Sequence, residues 1–184
     1  MTEEEKIFDV EQSQLIENIT PDKNSQLFRL HLDALEYALE CVAKGEIPEV
    51  KRVHRTMMAS SLTSAGSYRY EPVYIAGTGR RLPTPLKVRV LMDDWDRLCR
   101  EFIAQALDDE CKTTSLILYF HFLCIHPFED GNGRVGRIML NALRLLKGLS
   151  WKTVLLEERD LGVKALRMYE DCTFKVIYPN VYNM

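Results

Sequence analysis

The chain has 184 residues, of which 46% are hydrophobic and 28% are charged, and its formal net charge is -3 at pH 7. This length predicts one domain with a core of ordinary size, and the composition is that of a soluble globular protein. Because nucleic-acid-binding domains normally carry a basic footprint, the negative net charge argues against nucleic acid as a partner.

The cysteines and the apolar runs indicate the compartment. Five cysteines without a CxxC pair or metal-like clustering, together with no secretory signal at the N-terminus, favour a reducing cytoplasm. Export without a cleavable signal stays open as an alternative. The longest apolar run, residues 116–125, is too short to span a bilayer, so no membrane insertion is expected.

The N-terminal segment predicts a helix that begins at Glu3-Glu4-Glu5, because acidic residues in the first turn suit the helix dipole. Ser13 and Glu17 stand four residues apart and therefore share one helical face. Asn18 begins a stop signal that ends at Pro21. By itself this arrangement is typical of a solvated helix face.

Three further helices are predicted before residue 107. Asp22 or Ser25 caps the second helix of the chain, which ends at Lys44-Gly45. The third covers about residues 48–60, and the fourth covers residues 88–106. The fourth is expected to turn a set of large apolar side chains toward the core: Val90, Leu91, Trp95, Leu98 and Phe102.

Residues 66–85 interrupt the helical pattern. Val73-Tyr74-Ile75 alternates as a strand does, Gly77-Thr78-Gly79 predicts a turn, and Leu82-Pro83 leads out. The segment therefore predicts a short β-hairpin, which would be marginally stable in isolation. A plain connecting loop is the alternative.

The run from His126 to Arg137, His-Pro-Phe-Glu-Asp-Gly-Asn-Gly-Arg-Val-Gly-Arg, carries the strongest functional signal. A buried helix at residues 112–125 delivers the chain to it and forms a rigid mount. Gly131-Asn132-Gly133 allows positive φ, so successive N–H groups can face an anion at the start of the next helix. Arg134 and Arg137 follow on one helix face, and Asn141 extends this polar stripe. A polyphosphate would fit such a site.

Two side chains in this run suit phosphate chemistry. Mg²⁺ is usually held by one or two carboxylates together with substrate phosphates and water, so Asp130 is the predicted metal ligand. A neutral His126 imidazole, with an unperturbed pKa of about 6.5, could accept a proton from an attacking hydroxyl. The run therefore predicts a site that moves part of a nucleotide.

The run resembles the Fic motif, His-x-Phe-x-Asp/Glu-Gly-Asn-Gly-Arg-x-x-Arg, at every fixed position. The resemblance implies an all-α Fic-fold helical bundle that transfers AMP from Mg-ATP to a Tyr, Thr or Ser hydroxyl of a target protein. It implies that His126 is the general base, Phe128 a core anchor and Asp130 the Mg²⁺ ligand. The residues that it implies for phosphate binding are Gly131, Asn132, Gly133, Arg134 and Arg137.

The N-terminal segment resembles the inhibitory motif Ser/Thr-x-x-x-Glu-Gly/Asn of autoinhibited Fic proteins, through Ser13, Glu17 and Asn18. This resemblance implies that Glu17 pairs with Arg137 and keeps the γ-phosphate of ATP out of its productive position. In some members the same glutamate helps to remove AMP from the target, so deAMPylation is a second implied activity. The chain would then consist of an inhibitory helix at residues 1–20 and a Fic domain at residues 21–184.

The resemblance also gives the predicted hairpin a role. In the family a flap at this position takes up an extended target segment through main-chain hydrogen bonds. Tyr74, Ile75 and Leu82 are accordingly the predicted docking residues.

Other functions stay open beside AMP transfer. One is a regulatory module that senses ATP without transfer, and another is a transferase that uses a different phosphodiester donor, such as CDP-choline or UTP. A third is phosphate transfer as in the related Doc toxins, which carry lysine in place of the second glycine, and Gly133 stands against it. Self-modification and a homodimer are further interactions that the sequence allows.

Overall fold

The computed structural model describes residues 1–75 and 80–182. Throughout these ranges the regular structure is helical and includes no strand. Eight α-helices occur in them: α1 (Glu3–Ile16), α2 (Gln26–Ala43), α3 (Val50–Met58), α4 (Pro85–Ala104), α5 (Cys111–Ile125), α6 (Asn132–Leu146), α7 (Arg159–Tyr169) and α8 (Lys175–Ile177). A 3-10 turn at Leu156–Glu158 precedes α7, and a π-helical turn at Glu170–Phe174 joins α7 to α8.

The helix ends follow from local sequence. Thr2 caps α1 in a capping box with Glu5, whose side chain returns to the Thr2 N–H. Of the two predicted caps for α2, Ser25 is the one that accepts from a first-turn N–H, that of Phe28, at 3.2 Å. Gly45, in the left-handed conformation with φ of 74°, ends that helix as predicted.

Helix α6 is the centre of the bundle. Twelve of its 15 residues are buried, and it packs against α1, α2, α3, α4 and α5. The sequence predicted a buried helix at residues 112–125, but α5 keeps an exposed edge at Ile117, which is 41% exposed. Helix α6 is more deeply buried than α5 because other parts of the chain cover its polar stripe, which includes Arg137 and Asn141. Polar residues on a helix do not predict an exposed face when neighbouring groups satisfy them.

The predicted β-hairpin is not supported. Residues 72–75 and 80–84 have no regular structure, and the predicted turn at Gly77-Thr78-Gly79 lies outside the described residues. A two-stranded hairpin has no third strand to support it, which makes tertiary contacts decisive for such a segment. Here the Pro83 carbonyl bonds to a side chain, Arg69 Nη2, at 2.6 Å.

The fourth predicted helix is present but its inward face differs in one residue. Helix α4 begins at Pro85, a favoured residue for the first turn. Trp95 is buried, and its Nε1 donates to the carbonyl of Leu118 at 2.9 Å. Val90 is 66% exposed, so its predicted core position is wrong. The buried stripe runs instead through Val88, Leu91, Met92, Trp95, Cys99 and Phe102.

Among the residues that the structure describes, none of the helices combines the length and the apolar character that crossing a bilayer requires.

Three of the four histidines are buried in the core at 0 to 2% exposure: His31, His54 and His121. Burial lowers the pKa of His31 to about 3 and the pKa of both His54 and His121 to about 4. His54 has a partner on each ring nitrogen, whereas His31 Nδ1 and His121 Nε2 have none in the described part of the chain. All three are therefore neutral in the folded protein at physiological pH.

We expect acidification from pH 6.5 to pH 5 to destabilise the fold. In this window the unfolded chain binds protons on histidines whose folded pKa lies near 3 or 4, so the free energy of unfolding rises with pH. Each histidine contributes a slope of up to about 1.4 kcal/mol per pH unit. Urea unfolding at pH 7.5, 6.5, 5.75 and 5.0 measures the effect, and an unchanged midpoint between pH 6.5 and 5.0 would contradict it.

Candidate functional site

The loop between α5 and α6, residues 126–131, begins and ends in the left-handed conformation. His126 caps α5 with φ of 51° and ψ of 62°, and Gly131 caps α6 with φ of 76°. For a residue with a side chain this conformation is uncommon and costs roughly 1–2 kcal/mol. The loop therefore turns sharply at both ends, and it needs support from outside to hold this conformation.

Asn132 closes the loop from within. Its Oδ1 accepts from the Phe128 N–H at 2.9 Å, and its Nδ2 donates to the Phe128 carbonyl at 3.0 Å. The Asn132 side chain is 2% exposed, so it is committed to the loop and does not face a ligand. The predicted part of Asn132 in anion binding rests on its main-chain N–H. Phe128 is itself fully buried and stacks on His54 with ring centroids 3.8 Å apart.

The first turn of α6 offers main-chain donors. The first bond within the helix runs from the Val135 N–H to the Gly131 carbonyl at 2.9 Å. The three preceding N–H groups therefore have no partner within the helix: Asn132, Gly133 and Arg134. Together with the helix dipole these groups favour an anion. The sequence placed a polyphosphate here, and this geometry fits one.

A carboxylate from α1 lies at this turn. A Cβ added to Gly133 would lie 2.0 Å from Oε1 of Glu17 and 3.3 Å from Nη1 of Arg137. A side chain at this position would therefore have to displace the Glu17 carboxylate. An anionic side chain occupies the space above the helix start, as a phosphate oxygen would.

Ser13 and Glu17 both bind Arg137; the resemblance implied the contact of Glu17 and said nothing of a contact from Ser13. Arg137 Nε donates to Ser13 Oγ at 2.9 Å, and Nη2 donates to the Ser13 carbonyl at 2.9 Å and to Glu17 Oε1 at 2.7 Å. The guanidinium is 5% exposed. Burial works to lower the pKa of Arg137, but Tyr119 and Glu17 outweigh it and raise the pKa.

Asn18 shapes the end of α1 that presents Glu17. Its φ is 59°, its N–H donates to the Leu15 carbonyl, and the Ile19 N–H donates to the Gln14 carbonyl, both at 3.0 Å. This is a Schellman motif, in which the residue after the cap is left-handed. Asparagine or glycine suits that position because both tolerate positive φ. The same residue also accepts from Arg159 Nη1 at 2.9 Å through Oδ1.

Asp130 and Arg134 form the other side of the site. Arg134 Nη2 lies 3.2 Å from Asp130 Oδ2, and the Gly131 N–H donates to Asp130 Oδ1 at 2.6 Å. The Asp130 side chain is 67% exposed, whereas the Arg134 side chain is 4% exposed. Arg134 Nε is buried and has no hydrogen-bond partner in the described residues. A cation with an unused buried donor is suited to an anionic ligand.

The imidazole of His126 is partly buried beside two guanidinium groups. Burial, then the charges of Arg80 and Arg69, lower the pKa of His126 to about 3, although the Leu123 backbone and Asp130 act in the opposite direction. The ring donates a hydrogen bond to the Leu123 backbone, which leaves its second nitrogen free of a proton. The imidazole of His126 is therefore neutral throughout the physiological pH range.

The comparisons with known proteins agree with this geometry. A model of the Fic/DOC family matches residues 46–143, slightly more than half of the chain. The chain belongs to the Fic/DOC family. A probable protein adenylyltransferase of Aquifex aeolicus is 44% identical over 63 residues, which are 34% of this chain and 19% of that protein. A Fido domain-containing protein of Dictyostelium discoideum is 29% identical over 60% of this chain and 76% of its own length.

Solved structures of Fic proteins share the fold. A Fic domain-containing signaling protein of Bacteroides thetaiotaomicron has a TM-score of 0.74 at 19% identity, over 91% of this chain and 73% of that one. A fragment of Fic-1 from Caenorhabditis elegans has a TM-score of 0.65 at 19% identity, over 91% and 56% of the two chains. The Caenorhabditis elegans protein adenylyltransferase is itself 28% identical over 55% of this chain, which spans 20% of that protein.

The metal prediction for this Fic/DOC chain concerns a single carboxylate. The described residues contain no group of three or more His, Cys, Asp or Glu side chains that could hold a metal ion. Mg²⁺ does not require such a cage when substrate phosphates and water complete its coordination. The exposed carboxylate of Asp130, beside the anion-binding turn, fits that donor set.

The docking role of Tyr74, Ile75 and Leu82 stays a prediction. Tyr74 is 88% exposed, and Ile75 and Leu82 are partly buried. All three lie in irregular segments that lead to Pro83, which contacts Arg69. Exposure at Tyr74 fits a contact residue.

Sequence reasoning overlooked the residues that support the loop from outside. Ser64, Gly66, Tyr68 and Arg69 all contact the loop or its partner His54, yet their stretch appeared to be part of a connecting segment. The available signal was weak: it was a single arginine, Arg69, within the segment predicted as a hairpin. The same holds for Trp151, whose Nε1 donates to Asp9 Oδ1 on α1 at 2.9 Å.

Replacing Asn132 with alanine should destabilise the protein. The buried Phe128 N–H and carbonyl would both lose their partner, at about 1–3 kcal/mol for each unsatisfied group. Urea unfolding of Asn132→Ala measures the loss. Asn24→Ala is the control, because Asn24 is exposed and should change the free energy of unfolding by less than about 0.5 kcal/mol. Equal stability of the two variants would show that the loop does not depend on Asn132.

Proposed function

We propose that this protein transfers AMP from Mg-ATP to a hydroxyl side chain of a target protein, and that Glu17 inhibits the transfer through Arg137. The observation that carries the proposal is the Glu17 carboxylate, which lies against Gly133 and 2.7 Å from Arg137 Nη2 at the anion-binding start of α6. Relatives named protein adenylyltransferase support the reaction class. Because the chain spans about a fifth of those proteins, the activity is proposed for the domain seen here.

The proposed chemistry assigns one task to each group. A target hydroxyl attacks the α-phosphorus while the free nitrogen of His126 accepts its proton, and the bond from the α-phosphorus to the bridging oxygen breaks so that pyrophosphate leaves. The N–H groups at the start of α6, with Arg134 and Arg137, hold the phosphates in line. Asp130 would hold Mg²⁺, which supplies charge stabilisation on the phosphate oxygens.

Inhibition follows from where the Glu17 carboxylate lies. It repels a phosphate at the same turn, and it uses the Arg137 donor that would otherwise bind that phosphate. A hydrogen bond between charged groups contributes about 1.5–3 kcal/mol, which ATP must replace to bind productively. Gly133 itself argues against phosphate transfer of the Doc type, because the Doc toxins carry lysine at that motif position.

The target is proposed to dock along the irregular segments that contain Tyr74, Ile75 and Leu82. Docking by main-chain hydrogen bonds does not need a preformed strand, because an extended target segment can order both chains as it binds. The acceptor hydroxyl would then approach His126 from the side of Pro83, which Arg69 joins to the loop.

Glu17→Gly should release Arg137 and raise labelling by α-labelled ATP, by roughly tenfold or more for a lost contact of about 1.5–3 kcal/mol. Glu17→Gly with His126→Ala should abolish the labelling because the base is gone. The assay uses Mg²⁺ with α- or γ-labelled ATP, host lysate as acceptor, and mass spectrometry of labelled proteins. Glu4→Gly, an exposed first-turn residue, is the matched control and should label as wild type.

The label position separates the functions. Label from the α position alone means AMP transfer, whereas label from the γ position means phosphate transfer. If Glu17→Gly binds ATP and gives no label, the chain is a regulatory module or uses another donor, which CDP-choline and UTP test. Loss of AMP from a target labelled beforehand, by wild type and not by Glu17→Gly, would reveal the implied deAMPylation.

A second prediction concerns how α1 is held in place. Hydrogen bonds join this segment to residues 151–159. Trp151 Nε1 donates to Asp9 Oδ1 at 2.9 Å, the Leu156 N–H donates to Gln12 Oε1 at 3.0 Å, and Arg159 Nη1 donates to Asn18 Oδ1 at 2.9 Å. Asp9 is 7% exposed, so its contact with Trp151 is shielded from water. Trp151→Phe should therefore loosen α1 and raise AMP transfer severalfold when Glu17 is present.

The same substitution should have no further effect on Glu17→Gly, because that variant has already lost the inhibitory contact. Trp95→Phe is the control, since Trp95 also loses one buried hydrogen bond, to the Leu118 carbonyl, but belongs to α4. A gain from Trp151→Phe that persists on Glu17→Gly would mean that Trp151 does not act through α1.

A further inference from the structure

Residues 64–69, here termed the strap, run beneath the loop that carries His126. Ser64 Oγ donates to Glu129 Oε2 at 2.8 Å, and the ring of Tyr68 lies 5.5 Å from the ring of Phe128. The Gly66 N–H donates to Nδ1 of His54 at 2.8 Å, and Nε2 of His54 lies 3.1 Å from the Asp130 carbonyl oxygen. Because Nδ1 accepts, Nε2 must donate. The strap thus follows the loop along its length.

Arg69 is the last residue of the strap, and it contacts the backbone of the loop at His126. Its main-chain N–H donates to the Pro127 carbonyl at 2.9 Å, and its Nε donates to the His126 carbonyl at 2.8 Å. Nη2 donates to the Pro83 carbonyl at 2.6 Å and lies 3.4 Å from the Ile125 carbonyl. Every acceptor recorded for this guanidinium in the described residues is a main-chain carbonyl.

A guanidinium is the group that these carbonyls require. The last carbonyls of a helix have no intrahelical partner, and the helix dipole makes that end favourable for a cation. Ile125 ends α5 and His126 caps it, so one rigid planar group serves both and reaches Pro83 as well. Arg69 is 6% exposed, and burial lowers its pKa to about 10, so it remains charged at neutral pH.

The contact bears on catalysis because His126 is left-handed. A residue with a side chain in that conformation returns to a more common one unless its carbonyl and neighbouring peptide groups are held. Arg69 holds the carbonyl of His126 and the carbonyl that follows it. It also joins them to Pro83, which ends the segment proposed to dock the target.

We propose that Arg69 is a positioning residue: its guanidinium fixes the backbone of His126 in the conformation that aims the imidazole at the acceptor hydroxyl, and links that backbone to the target-docking segment at Pro83. The inference rests on the proposed transfer reaction for its kinetic consequences. Its structural consequence, the conformation of His126, can be measured without activity.

The test compares Arg69→Lys and Arg69→Met on the Glu17→Gly background. Lysine keeps the charge but cannot donate to the His126 and Pro83 carbonyls with the same planar geometry, whereas methionine removes the charge as well. Both variants should lower kcat about 10–100-fold, the effect of a small misplacement of a reacting group, with KM for ATP within about twofold. Arg100→Met, an exposed arginine on α4 that pairs with Asp96, should leave both constants unchanged.

The second measurement is the NMR signal of the His126 backbone. The Cα and Cβ shifts and the three-bond HN–Hα coupling report φ, and both Arg69 variants should move them away from the left-handed values, while the signals of the α2 core stay in place. This measurement decides the structural claim even if no variant transfers AMP. In that case the proposed function is wrong, and the NMR spectrum alone decides whether Arg69 positions His126.

Several results would overturn the inference. Full kcat in Arg69→Lys would mean that charge alone is needed and the geometry of the contact is not. Left-handed His126 signals in both variants would mean that Arg69 does not set the backbone. Global unfolding of both variants at 25 °C would make Arg69 a general stabilising residue, with no separate part in positioning the base.

Discussion

The buried guanidinium of Arg137 is the constraint on which the rest of the site depends. An unpaired buried charge is strongly unfavourable, so this side chain at the centre of the bundle must be covered by acceptors. Ser13 and Glu17 supply them from α1, more than a hundred residues away in sequence. The consequence is that the same contact completes the fold and fills the place proposed for a nucleotide phosphate.

This dependence explains the ends of the helices around the site. Helix α1 must stop where Glu17 reaches the start of α6, and the left-handed Asn18 stops it there. A side chain at Gly133 would displace the carboxylate, because its Cβ would meet Oε1 of Glu17. The helix start that suits a phosphate also suits a carboxylate, since both are anions that accept from main-chain N–H groups. The proposed autoinhibition therefore uses the same chemistry as the proposed phosphate site.

The loop of His126 shows a second, independent constraint. Its left-handed ends require support, which comes from Asn132 within the motif and from Arg69 and His54 outside it. Burial of His126 and the guanidinium groups beside it lower the pKa of the imidazole, which is therefore neutral at physiological pH. The same burial of histidines makes the fold sensitive to acid, because the unfolded chain gains protons that the folded chain excludes.

The sequence by itself determined the helices with clear caps, such as the start of α2 at Ser25, and the position of the motif between α5 and α6. These depend on local hydrogen bonds and on spacing, which neighbouring residues specify. It also paired Glu17 with Arg137, because the resemblance to a known family supplied the long-range information. Only the tertiary structure decided that Asn132 supports Phe128, that residues 72–75 form no strand, and that Arg69 and Trp151 reach the loop and α1. These outcomes depend on which carbonyls, carboxylates and rings from distant parts of the chain come within a few ångströms of each other. The periodicity of side chains along the sequence does not predict such contacts.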